Sequence, residues 1–304
     1  MSNGKAPLVK CFFHKDTSTC TYVVQESTSK AAAIIDSVLD YEPAAAHTSQ
    51  AHNDLIIAYC QEQQLDVQYI METHVHADHL TGANYLHSKF PKAKTCIGEN
   101  VVKVQTLFQK VFNLVDAKDN FQPDGSQFDI LLKDGQELVL GEGTPIKVYH
   151  TPGHTPACVS LLIGKDALFT GDTLFMPDMG TARCDFPGGS VEDLYNSIQK
   201  IYKQVPEDAG TDNVRVFVGH DYGPGGREIK WETTLAEEMK SNKQLTVETS
   251  LETFTKFRSE RDAGLGAPKL IIPALQVNLR NGDLPPPESN GTSYLKVPLN
   301  VVGK

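Results

Sequence analysis

An α/β fold with one large core is predicted by three observations. Short apolar runs alternate with stretches of helical periodicity, a His or Asp follows directly on the end of four of those runs, and 304 residues suffice for one such domain plus an appendage. The alternation predicts strands connected by helices. The ligand-type residues at strand ends predict a site along one edge of the sheet.

In order, Val9 to Phe13 and Thr19 to Val24 read as strands around the turn-rich His14 to Ser18, with Ala31 to Ile35 as a third; three in succession suggest an antiparallel start. Asp36, at the third strand's end, is either a hydrogen-bond partner for a metal-bound histidine or a turn carboxylate. His47 and His52 lead into a helix over Asp54 to Gln63 and read as solvated or capping residues. Val67 to Met71 is a strand, and Gly82 to Lys89 a helix stopped by Pro91. Thr95 to Gly98 is a strand and Glu99 to Phe112 a helix whose stripe Val101, Val104, Leu107, Phe108, Val111 is core. A loop over Asn113 to Leu131 precedes strands at Glu137 to Leu140, Lys147 to His150, Val159 to Ile163 and Ala167 to Phe169. Leu174 to Gly189 reads as an ordered loop, Ser190 to Tyr202 as a helix N-capped by Ser190, and Val214 to Val218 as a strand. Trp231 to Ser241 and Leu251 to Ala263 are predicted helices, and Leu270 to Pro273 leads into a tail in which Pro285-Pro286-Pro287 forbids helix. That tail packs on the main domain or on a second subunit.

Composition narrows the function. A formal net charge of -10 and a pI near 5.5 speak against nucleic acid or an anionic membrane as partner, so an anionic substrate needs a locally positive site. No run approaches a membrane span, and Met1 to Pro7 resembles no targeting segment, which favours the cytosol. Cys11, Cys20, Cys60, Cys96, Cys158 and Cys184 form no CxxC pair and suit a reducing compartment.

The chemistry concentrates in His74-Val75-His76-Ala77-Asp78-His79, four ligand-type side chains on a strand-to-helix turn that can aim them into one space. His154 follows Pro152-Gly153, whose sequence predicts a type II turn. Asp172 follows Thr170-Gly171, and His220 follows Gly219 at the end of a strand. Imidazoles and carboxylates together are the ligands of borderline metals.

These four motifs in this order resemble those of the metallo-β-lactamase superfamily. The resemblance implies a four-layer αββα sandwich, the catalytic domain over residues 1–228, with residues 229–304 as a helical and Pro-rich extension packed on it. Glu72 to Thr81, His150 to Cys158, Gly171 to Pro177 and Ala182 to Pro187 are similar to persulfide dioxygenases, also called sulfur dioxygenases, and the tail from Leu270 resembles the longer bacterial-type branch. That family implies one Fe(II) per chain held by His74, His154 and Asp172, which also carry catalysis, and conversion of glutathione persulfide and O2 to sulfite and glutathione. With a single carboxylate the ferrous site keeps one net positive charge, which a persulfide anion neutralises. His76, Asp78, His79 and His220 then surround the site without ligating the iron. Arg183 is either a contact for substrate carboxylates or a structural ion pair; Tyr222 and Arg227 are further substrate-contact candidates.

Two rivals follow from the same residues. A dinuclear Zn thioesterase of the glyoxalase II type uses His74, His76 and His154 for one metal, Asp78, His79 and His220 for the other, and Asp172 as the bridge. A regulatory metal-binding domain without turnover is the other. Metal identity, the thiol carrier and a homodimeric state are open at this point.

Overall fold

A computed structural model describes residues 6–115 and 119–302. The N-terminal stretch read for targeting signals falls mostly outside the described residues, as does part of the loop after Asn113. In chain order the elements are β1 (Leu8–His14), β2 (Thr19–Gln25), β3 (Ala31–Ile35), β4 (Asp40–Glu42), β5 (His47–Ser49), α1 (Ala51–Glu62), β6 (Asp66–Met71), α2 (Ala83–Lys89), β7 (Lys94–Gly98), α3 (Val101–Val111) and β8 (Ile130–Leu132). Then follow β9 (Glu137–Leu140), β10 (Thr144–His150), β11 (Val159–Ile163), β12 (Ala167–Gly171), α4 (Val191–Ala209), β13 (Arg215–Val218), β14 (Glu232–Thr234), α5 (Leu235–Ser241), α6 (Leu251–Ala263) and α7 (Ile271–Asn278).

Two six-stranded sheets, ordered β1-β2-β3-β6-β7-β8 and β14-β13-β12-β11-β10-β9, pack face to face, and β4 pairs with β5 in a separate hairpin. The antiparallel start holds, with β1 on β2 and β2 on β3. Parallel neighbours need a crossover, and each has one: α1 carries β3 to β6, α2 carries β6 to β7, α3 carries β7 to β8, and α4 carries β12 to β13. Tyr22, Ile35 and Met71 of one sheet meet Val148, Leu161, Phe169 and Phe217 of the other in the central core. Ile56, Cys60 and Leu86 seal the outer face of the first sheet, and Leu194, Ile198 and Ile201 that of the second. The result is the αββα sandwich expected.

The differences from expectation lie where local pattern is weak. Ile130–Leu132 is a strand inside the expected loop, because it completes the edge beside β7. Glu232–Thr234 pairs with β13 before the helix begins, so the expected helix from Trp231 starts only at Leu235, capped by Thr234. The Ser190-capped helix continues through Pro206 to Ala209, because Val205 and Ala209 extend its buried stripe. Leu270 to Pro273, for which the sequence predicts no element, opens a helix, α7. Ile271, Leu275 and Leu279 pack there with Val104 and Phe108 of α3, and Ala274 and Val277 pack with Leu39 and Leu80. No helix among the described residues is long and apolar enough to cross a membrane.

Candidate metal centre

The centre is built by four strand ends. After β6, the chain turns through Glu72 to Leu80 before α2, and Asp36 at the end of β3 fastens this turn. Its carboxylate accepts the Thr73 N–H at 2.7 Å, the Thr73 hydroxyl at 2.8 Å and His76 Nε2–H at 3.1 Å. Asp36 therefore braces the histidine loop, through Thr73 and through His76. Burial works against its charge, but His76 and the bonds from Thr73 hold its carboxyl below the usual range.

These bonds also set tautomers. The Thr73 hydroxyl donates to Asp36, so at 3.0 Å it accepts from His74 Nδ1–H, which leaves His74 Nε2 with a free lone pair. His154 Nδ1–H donates to the Arg183 carbonyl at 2.8 Å, leaving its Nε2 free in the same way. Both nitrogens face Asp172 Oδ2, at 3.9 Å from His74 and 3.7 Å from His154. Burial, then the neighbouring His76 and His154, keep His74 well below the ordinary histidine value, hence neutral and able to ligate.

Backbone compression makes the approach. Gly171, at φ +47°, lies where an added Cβ would stand 2.3 Å from the Thr73 hydroxyl, and one on Gly219 would meet Asp172 Oδ1 at 2.8 Å. Gly153 has the positive φ expected after Pro152, at +146°. The turn itself is not type II: the Gly153 N–H reaches Thr155 O, and the backbone of α4 approaches so closely that a Cβ would meet Leu194 at 2.4 Å.

The remaining ligand-type residues form a second cluster beside the first. His220 Nε2 lies 3.2 Å from Asp78 and 3.3 Å from Asp172 Oδ1, and its Nδ1–H donates to Ser18 O at 3.1 Å. Burial opposes a charge on His220, yet the carboxylates of Asp172 and Asp78 raise it above the ordinary value. His79 goes the other way: burial and the nearby His76 push it down to about 4. His76 is held by Asp36 and, at 3.0 Å, by Glu72 through the same Nε2, so its Nδ1 points inward. His74 Nε2, His76 Nδ1 and His79 Nε2 are buried nitrogens without any hydrogen-bond partner, which is costly unless a cation takes the lone pairs. The residues fit a metal. Among the described residues three side-chain sets bring their donor atoms close enough together to hold one: His74, His154 and Asp172; His76, Asp78 and His79; and Asp36, Glu72 and His76.

Asn278 is a functional residue that sequence reasoning missed. From α7 its amide N–H group donates to the carbonyls of His76 and His79, each at 2.8 Å, while its oxygen accepts the Thr81 N–H at 2.8 Å. The C-terminal segment thus clamps the histidine loop from behind. No motif marks it, because a single Asn some two hundred residues from its partners carries no local signature. His52 was also misread: it is buried, packs on His14 with ring centroids 5.0 Å apart, and is pushed by burial down to about 4.

A cavity of about 1040 Å³ opens over His154, Asp172 and Asp78, between the β4-β5 hairpin and the α6-α7 connection. Arg183 and Tyr222 line it. The Arg183 guanidinium is committed to Asp185 at 2.5 and 2.7 Å and to Gly266 O at 2.8 Å, which is its ion-pair reading. Arg227 sits outside the lining, bound to Asp178 and Asp221. The stretch from Leu174 to Gly189 holds neither helix nor strand, as expected of a loop. Buried Arg258 donates to Thr181 O and pairs with Asp262, whose other oxygen accepts the Cys184 N–H.

The family described as the metallo-beta-lactamase superfamily matches residues 15–220. Among curated relatives, "Glyoxylase B2" of Dictyostelium discoideum is 47% identical over 97% of both chains. A probable metallo-hydrolase of Burkholderia pseudomallei is 44% identical, covering 97% of this chain and 99% of its own. The mitochondrial persulfide dioxygenase ETHE1 of Bos taurus is 29% identical over 94% of this chain and 92% of its own. Among solved structures, ETHE1 from Myxococcus xanthus superposes with a TM-score of 0.70 at 28% identity, covering 91% of this chain and all of that one.

Proposed function

We propose, from the premise that this chain belongs to the metallo-beta-lactamase superfamily, that it is a persulfide dioxygenase. It converts a glutathione persulfide anion, dioxygen and water to glutathione, sulfite and a proton. The observation that carries the reading is the trio His74, His154 and Asp172: two imidazoles whose Nδ1–H groups are engaged by protein, so that both Nε2 lone pairs face one carboxylate oxygen. Two imidazoles and one carboxylate grouped in this way are the donor set of ferrous oxygenase sites, which leave coordination positions free. Bound there, one Fe(II) supplies the electron transfer toward dioxygen that no side chain offers. The chain supplies the rest. Asp36 and Thr73 hold His74 in its ligating tautomer, the Arg183 carbonyl does the same for His154, and Asp78 with His220 forms a polar wall beside Asp172.

The large cavity suits the thiol carrier. Glutathione bears two carboxylates and one ammonium. Exposed Arg261 and Lys269 stand among the lining residues together with Asp16, Asp40 and Glu42, so that both signs are offered. Tyr222, stacked on His220 with centroids 6.0 Å apart, stands between cavity and centre and contacts the substrate. Six free cysteines are consistent with work in the cytoplasm.

A specific observation favours a second reading. His76 Nδ1 and His79 Nε2 are also unsatisfied and share one donor set with Asp78, so that His76 falls on the side of a second metal rather than with His74 and His154 as expected, in a dinuclear Zn thioesterase cleaving an acylated glutathione. The relative named "Glyoxylase B2" adds to it. Oxygen-electrode assays decide: with glutathione persulfide the dioxygenase consumes one O2 per sulfite formed. Thioester cleavage without any oxygen uptake would instead establish the hydrolase.

A further inference from the structure

A second cavity, of about 220 Å³, reaches His154 and Ala77 from the side of α3 and the C-terminal tail. It shares the wall of Arg183, Leu265 and Pro268 with the large cavity, but its chemistry differs. Phe108, Val111, Phe186, Ile271, Val301 and Val302 make up most of the rest. Its two charged side chains, Arg183 and Asp185, bind each other through both arms of the guanidinium fork. His154 turns its free Nε2 toward Asp172, and none of the fully buried side-chain atoms left without a hydrogen-bond partner among the described residues lies in the lining.

A water molecule needs two or more polar partners to be held in a cavity, whereas apolar cavities of comparable size stay dry and take up xenon or benzene. The small cavity therefore suits a small apolar molecule better than water or an ionic substrate. The large cavity is wider and is bordered by exposed charges of both signs, and a tripeptide thiol seated in it covers the approach to Asp172 from that side. The second reactant then needs its own way in. We infer that the small cavity is the entry and holding site for dioxygen, opening near exposed Val301 and ending at the His154 ring; this rests on the dioxygenase reading. Phe186, with its ring centroid 6.1 Å from that of His154, lines the inner end, and Val111 at the last turn of α3 lines the flank.

The test uses the full-length, iron-loaded protein. Crystals pressurised with xenon show a xenon atom between Phe108, Val111 and Ile271, and the Val111→Trp variant, which fills that space, raises KM for O2 several-fold while KM for glutathione persulfide stays as it was. Xenon binding is read in the unaltered protein, so it does not depend on the variant folding. An enzyme that consumes O2 normally but binds no xenon there, or whose Val111→Trp variant keeps its KM for O2, overturns the inference and leaves the dioxygenase standing. A protein that takes up no O2 with the persulfide overturns the dioxygenase, and the gas route with it.

Discussion

Replacing Asn278 by Leu removes three hydrogen bonds at one buried point, the two donated to the carbonyls of His76 and His79 and the one accepted from the Thr81 N–H. Leu has the same branching and number of side-chain heavy atoms as Asn and is the larger of the two, so no cavity follows, and the cost is at least that of three stranded backbone groups. At ~1–2 kcal/mol for each buried group left unsatisfied, the loss comes to ~3–6 kcal/mol. For a chain of this size that lowers the unfolding midpoint by roughly 5–9 °C. The stranded carbonyls belong to the loop that carries His74, His76, Asp78 and His79, so metal retention falls along with stability. Gln276→Leu is the contrast. It unties α7 from Lys296 without touching the loop, and should cost stability while metal content holds. Thermal unfolding and metal analysis of both variants check this. An Asn278→Leu protein with the parent's midpoint and full metal content would refute the clamp.

Three further outcomes are expected. Asp172→Ala abolishes both iron retention and turnover, because it deletes the only carboxylate facing His74 Nε2 and His154 Nε2 in that trio; an iron-replete, active variant removes Asp172 from the ligand set. Asp36→Ala frees Thr73 and His76, and metal affinity should fall ~10–100-fold, as when the hydrogen-bond partner of a ligand is lost; competition with a chelator measures it. Buried Glu238 is raised by desolvation to about 8 from an ordinary 4.5. Between those two pH values the folded chain keeps a proton that the unfolded chain has lost, so stability falls as pH rises. Glu238→Gln should flatten that slope and raise the unfolding midpoint at pH 8 more than at pH 5; equal shifts at both would show that Glu238 does not titrate there.

The layers were legible because they rest on local pattern, whereas the pattern marked only a pool of ligand-type residues, from which the family resemblance singled out His74, His154 and Asp172. Short apolar runs such as Val159–Ile163 and the cap at Ser190 specify their elements within a few residues, and the histidine loop declares its chemistry in six. What stayed hidden is set across distance. Ile130–Leu132 becomes a strand only because β7 offers an edge, and Glu232–Thr234 only because β13 does. Asn278 looks like an ordinary helix-end residue until α7 is laid behind the loop. The sharing of Asp36 between Thr73 and His76 likewise needs β3 and β6 side by side, which composition cannot announce. Arg183 is a third case: its charge left a substrate contact and an ion pair equally open, and Asp185 two residues on takes both arms of its fork.

Anomalous diffraction at the iron and zinc edges, from crystals of anaerobically prepared and fully active protein, tests the central claim most directly. A single iron peak bounded by His74, His154 and Asp172, with no second peak against Asp78, His79 and His220, is the predicted result. Two zinc peaks sharing Asp172 would contradict it and return the protein to the hydrolases of its superfamily.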